Sequence, residues 1–160
     1  MKREKMNNND VIRRLRYAVD LNDAALTEIF KNEGHKLTYE EIKSMMRKEG
    51  EEGYVELSNE MMIKFLDGFI IYKRGKQETK PGQAEPIKEN LNNNVIFKKL
   101  RIALSLRGEE VLSILALADK KVSSSEISAI FRQKDHRNYK NCGDKYIRNF
   151  LKGLTILNRK

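Results

Sequence analysis

The chain has 160 residues, 39% of them hydrophobic and 34% charged, and a net charge of +9. That is enough apolar material for one ordinary domain, or for two small ones sharing an interface, and it excludes wholesale disorder. It also excludes a membrane helix, because even VLSILALA at 111–118 is far shorter than the roughly 18 apolar residues a span needs.

The N-terminus, MKREKMNNND, is basic with no apolar run behind it, so no signal peptide is expected. A lone cysteine leaves no internal disulfide, and the expected compartment is the cytoplasm. Asn9 then reads as the N-cap of a first helix, its side-chain oxygen accepting a free backbone N–H. Val11, Ile12, Leu15, Ala18 and Val19 recur on one face of that helix. Asp23 is placed to cap a second helix carrying Leu26, Ile29 and Phe30, and Gly34 suits the left-handed residue that ends it. Thr38-Tyr-Glu-Glu41 forms a capping box before Ile42, Met45 and Met46, and Gly50 ends the third helix. A loop through Tyr54 leads to Ser58, the cap of a fourth helix with Met61, Met62, Phe65, Leu66, Phe69 and Ile70.

The same pattern then returns. Residues 7–75 slide onto 92–160 at an offset of 85 without a gap, and seventeen of the 69 pairs are identical. NNNDVIRRLRYAVDL becomes NNNVIFKKLRIALSL, and Ser123-Ser-Ser-Glu126 repeats the capping box before Ile127, Ile130 and Phe131. A tandem duplication explains this match. The expected fold is all-α: two similar four-helix units, about eight helices, over 1–75 and 91–160. Residues 76–90 hold both prolines and no apolar periodicity, and read as a linker.

Positions kept in both copies are candidates for structure. Asn9 and Asn94 are expected to cap their helices. Arg16 and Arg101 are expected to pair with Glu41 and Glu126, tying the first helix to the third in each unit. Gly68 and Gly153 lie inside the fourth helices, where glycine costs about 1 kcal/mol relative to alanine, so close approach of another helix is expected. Tyr54 and Tyr139 read as loop anchors.

Charge is what the copies do not share. Residues 1–75 hold 14 basic and 14 acidic side chains, whereas residues 91–160 hold 15 basic and 6 acidic. Glu60 becomes Lys145, Asp67 becomes Lys152, Glu51 becomes His136 and Glu52 becomes Arg137. On the last helix Lys145, Arg148, Lys152 and Arg159 follow helical spacing and form a basic stripe. The preceding loop adds Arg132, Lys134, Arg137 and Lys140 around Tyr139. The RRLR and KKLR segments at 13–16 and 98–101, with Lys98 and Lys99 in the second, are basic in both copies and would extend the set, although basic residues opposite an apolar helix face are ordinary. Cations along a face neutralise phosphates and release counterions, and an interleaved aromatic stacks an unpaired base. The expected function is therefore nucleic-acid binding, RNA or DNA, through the basic second unit. The alternative is a protein-interaction module or homodimeric adaptor, for which the Met-rich first half offers an adaptable surface.

Signals for chemistry are weak. His136, Cys142 and Asp144 lack the spacing of a zinc site or of a thiol nucleophile with its base. There is no Walker-type GxxxxGK[ST] and no GxGxxG. No enzyme activity, cofactor, metal or small-molecule substrate is expected.

NNNDVIRRLRYAVDLND, EEGYVELSNEMMIKFLDGFIIYKRGK, LNNNVIFKKLRIALSL and NYKNCGDKYIRNFLKGL resemble the YehS-like family of uncharacterised bacterial proteins. The likeness spans nearly the whole chain. This chain has Asp135 before His136 where the family often has glycine, and Arg107-Gly108-Glu109-Glu110 where the family is more acidic. The resemblance implies a bacterial cytoplasmic protein built from two copies of one domain. It implies no activity, cofactor or catalytic residue.

Overall fold

A computed structural model of the protein describes residues 6–76 and 90–159. The expected 76–90 linker lies, apart from its end residues, outside the described residues. Among these residues there are eight helices and no strand. They are α1 (Asn8–Ala18), α2 (Asp23–Lys31), α3 (Tyr39–Met46), α4 (Asn59–Arg74), α5 (Asn93–Ala103), α6 (Gly108–Leu117), α7 (Ser124–Ile130) and α8 (Asp144–Asn158). The chain is all-α, with α5–α8 repeating α1–α4. No described helix is long and apolar enough to cross a membrane.

Each repeat is laced by its asparagine triplet, and here the expected N-caps move. The caps are Asn7 and Asn92, whose side chains accept from the N–H of Asp10 and Val95. Asp10 returns a bond to the Asn7 backbone, completing a capping box that starts the helix earlier than its apolar pattern suggests. Asn8 and Asn93 donate to the carbonyls of Leu57 and Cys142, pinning the chain just before each fourth helix. Asn9 and Asn94 are buried within the first helical turn. Asn9 donates to Val55 O and Met45 O and accepts from Leu57 N–H at 2.7 Å. Asn94 does the same with Lys140 O, Ile130 O and Cys142 N–H. A buried amide is tolerated there because the backbone of the adjoining loop satisfies it.

The expected ion pairs between first and third helices do not form. Arg16 meets Asp23 at 2.6 Å. Arg101 donates to Leu106 O and lies 4.6 Å from the Phe131 ring centroid. Glu41, at the third helical position of α3, turns back to the Thr38 N–H and to His35 Nε2. Glu126 accepts from the Tyr146 hydroxyl at 2.5 Å. The capping-box position aims Glu41 at its own helix start, away from α1. The second helix is capped by Asn22 rather than Asp23.

The repeats interlock. Within each repeat the fourth helix crosses the second, α4 on α2 and α8 on α6. A Cβ added at Gly68 would lie 2.0 Å from Ile29 O, and one at Gly153 would lie 2.0 Å from Ile114 O. Between repeats, α1 packs on α8 and α5 packs on α4. Each first helix thus covers the fourth helix of the other repeat, the reciprocal exchange of an isologous dimer within one chain. One apolar cluster runs through both repeats, with Phe30, Phe65, Phe69, Phe97 and Phe150 wholly buried. The methionines expected to offer an adaptable surface belong to it: Met45 and Met62 are buried, and Met6, Met46 and Met61 pack against it.

Candidate functional site

α1 and α8 run parallel. Met6 N–H, just before α1, donates to Asp144 at the start of α8, and Asn158 at the end of α8 donates to Ala18 O at the end of α1. Their outer edges border a groove of about 730 Å³. α1 supplies Arg13, Arg14 and Tyr17, the loop after α3 supplies Lys48, and α8 supplies Arg148 and Lys152. Leu151, Thr155 and Ile156 line it between the cations, and no carboxylate does. Arg13 is neutralised by its neighbour Asp10, and its Nε is buried without an acceptor. Among the described residues Arg14, Lys48 and Lys152 form no ion pair.

The other cross-repeat interface shows what is unusual. At the exchange-equivalent positions, Lys99 of α5 and Asp67 of α4 form an ion pair at 2.5 Å. Their counterparts in the α1–α8 interface are Arg14 and Lys152, both cationic. Ile63 is replaced by Arg148 and Gln133 by Lys48 at the same equivalences. Like charges brought together repel, and the duplication supplied a neutral alternative at these sites. An anion in the groove removes that repulsion.

The residues expected to bind nucleic acid are divided by the fold. Arg148 and Lys152 enter the groove. Lys145 is exposed near the start of α8 but does not line it. Arg159 leaves the stripe: its guanidinium lies 3.8 Å from the Tyr17 ring centroid, its Nε donates to Tyr17 O, and it meets Asp20 at 3.6 Å. Lys99 is held by Asp67. Lys140 donates to the Tyr146 hydroxyl at 3.0 Å and lies 3.6 Å from Glu126. The Tyr146 hydroxyl, with Lys140, holds the Glu126 carboxyl below the usual range, and the same bonds raise Lys140. Lys98 is partly buried on α5. Arg132, Lys134, Arg137 and Tyr139 stay together in the α7–α8 loop, none of them lining the groove.

Sequence reasoning missed Tyr17 and Lys48 and gave Arg13 and Arg14 of the RRLR segment only a secondary place, because these residues belong to the electrically neutral repeat. The available signal was the Asp67 to Lys152 reversal, which exposes Arg14 only once α1 is known to lie beside α8. Cys142 is buried, and burial beside Asp144 pushes its thiol up to about 12, so it is no thiolate at neutral pH. His136 is exposed, its Nδ1 accepting from Asn138 N–H.

The sequence pattern of a family described as "Protein of unknown function (DUF1456)" matches twice, over residues 8–75 and 93–160. The chain belongs to the DUF1456 family. Both matches coincide with the repeats, so the groove forms where one family domain meets the other. The "Uncharacterized protein YehS" of Escherichia coli (strain K12) is 41% identical over 149 residues, covering 93% of this chain and 94% of that protein. No solved structure matches the chain.

Proposed function

We propose that this DUF1456 protein binds nucleic acid, RNA or DNA, by seating phosphates in the α1–α8 groove. The observation that carries this reading is the like-charged pair Arg14 and Lys152, which stand where the other interface has a Lys99–Asp67 ion pair. Cations assembled on a concave surface focus a positive potential and release counterions from a phosphate chain. The reading shifts the surface from a basic second repeat to the seam between repeats. The loop cations Arg132, Lys134 and Arg137 lie outside this groove, in the α7–α8 loop.

Fluorescence anisotropy with mixed RNA and DNA oligonucleotides tests it. Three to five phosphates engaged should give a slope of roughly −2 to −4 in log K against log salt. Arg14→Glu with Lys152→Glu should weaken binding at least about tenfold, since each reversal replaces attraction by repulsion. Charge reversal of Arg132 and Arg137 should weaken it less. No binding at low salt, or indifference to Arg14→Glu and Lys152→Glu, overturns the proposal. A stoichiometric protein partner captured regardless of nuclease, without oligonucleotide binding, would favour a protein-interaction module instead.

A further inference from the structure

We infer that the groove takes an unpaired strand, with one base stacked on Tyr17; this rests on the nucleic-acid reading above and specifies its ligand. Phosphate attraction alone does not explain the lining. Leu151, Ile156 and Tyr17 alternate with the cations, and Tyr17 keeps 57% of its surface exposed at the groove. A duplex presents phosphates outward and keeps its base faces stacked inside, so an apolar floor and an open ring gain little from it. An unpaired strand offers both charges and bare aromatic faces, and every base has a face to stack.

The ring is also held ready. Arg159 lies over it at 3.8 Å and bonds the Tyr17 carbonyl, and Asp20 meets the same guanidinium at 3.6 Å. Tyr17 therefore has one face covered by a cation while more than half of its surface stays exposed, and a base stacking on the ring meets a side chain already held in place. Its counterpart in the other interface is Ile102, so the aromatic ring occurs on the cationic side and not on the neutral one.

The test compares single-stranded oligonucleotides with a hairpin duplex of the same composition at one salt concentration. The strand should bind at least about tenfold tighter, and Tyr17→Ala should lose about 5- to 150-fold of strand affinity while barely changing duplex affinity. Tyr17→Phe should restore binding, because stacking needs the ring and not the hydroxyl. The chain has no tryptophan, so Tyr17→Trp supplies a single tryptophan that can be excited apart from the tyrosines. Oligonucleotide should quench it, and an abasic phosphate backbone of equal length should not. Equal affinity for strand and duplex, or an Ala variant that melts like the parent and binds strand equally well, overturns the stacked-base site. If reversal of Arg14 and Lys152 still abolishes binding in that case, the groove reading survives it. Failure of every nucleic acid to bind overturns both.

Discussion

Three consecutive asparagines do three different jobs in each repeat. Asn7 caps α1 and donates to the Tyr54 hydroxyl at 3.0 Å, Asn8 reaches Leu57 O, and Asn9 satisfies three backbone groups of the α3–α4 region. Their replacement costs should rank accordingly. Asn7→Ala should cost about 1 kcal/mol, the usual worth of an N-cap. Asn9→Ala leaves the Leu57 N–H and two carbonyls without their partner and should cost roughly 2–4 kcal/mol, as should Asn94→Ala. Urea midpoints of the variants measure this order, and an Asn7→Ala loss equal to that of Asn9→Ala would contradict it. Tyr54 shows the same economy of local bonds: burial and the nearby Glu56 raise its hydroxyl pKa, which leaves it a neutral partner for Asn7.

At the level of helices, the crossings of α4 on α2 and α8 on α6 depend on bare backbone at Gly68 and Gly153. The atom that a methyl group would strike is a helix carbonyl, which cannot swing aside as a side chain can. Gly68→Ala and Gly153→Ala should therefore each destabilise by about 3 kcal/mol or more, although alanine alone would favour the helix by about 1 kcal/mol. Thermal melts of the two variants should show similar losses, because the two crossings repeat the same geometry. A stabilised or unchanged variant would mean that the helices separate freely at the crossing. The helix ends repeat as well. Leu21 N–H bonds Arg16 O past a left-handed Asp20 (φ 56°), and Leu106 N–H bonds Arg101 O past Ser105 (φ 54°). These turns end α1 and α5 and set the entry to α2 and α6.

For the molecule as a whole, reciprocal packing of first helices on foreign fourth helices makes each repeat depend on the other. Separating them would strip cover from apolar side chains of α1, α8, α4 and α5, which belong to one shared cluster, at about 1.5–3 kcal/mol for each large side chain exposed. Such losses exceed the stability of a unit this small. The chain should unfold in one cooperative transition by calorimetry, and residues 91–160 expressed alone should lack a native melt. Two well-separated transitions, or a folded isolated repeat, would contradict the interlocked core. The same arrangement puts function at the seam: the groove draws Arg13, Arg14, Tyr17 and Lys48 from one repeat, and Arg148 and Lys152 from the other.

The amino-acid pattern alone determined the helices, the duplication and the glycine positions, because apolar periodicity, capping residues and a gapless repeat are local or linear properties of a chain. It misplaced the caps by two residues in a triplet whose members look alike, since backbone angles choose which asparagine stands outside the helix. It also paired Arg16 with Glu41, when each had a nearer partner in Asp23 and His35. Only the tertiary structure decided which helix faces which. That decision converts a charge count concentrated in the second repeat into a groove shared by both, because electrostatic potential sums over neighbours in space. The residues that complete the groove come from the repeat whose own charges cancel.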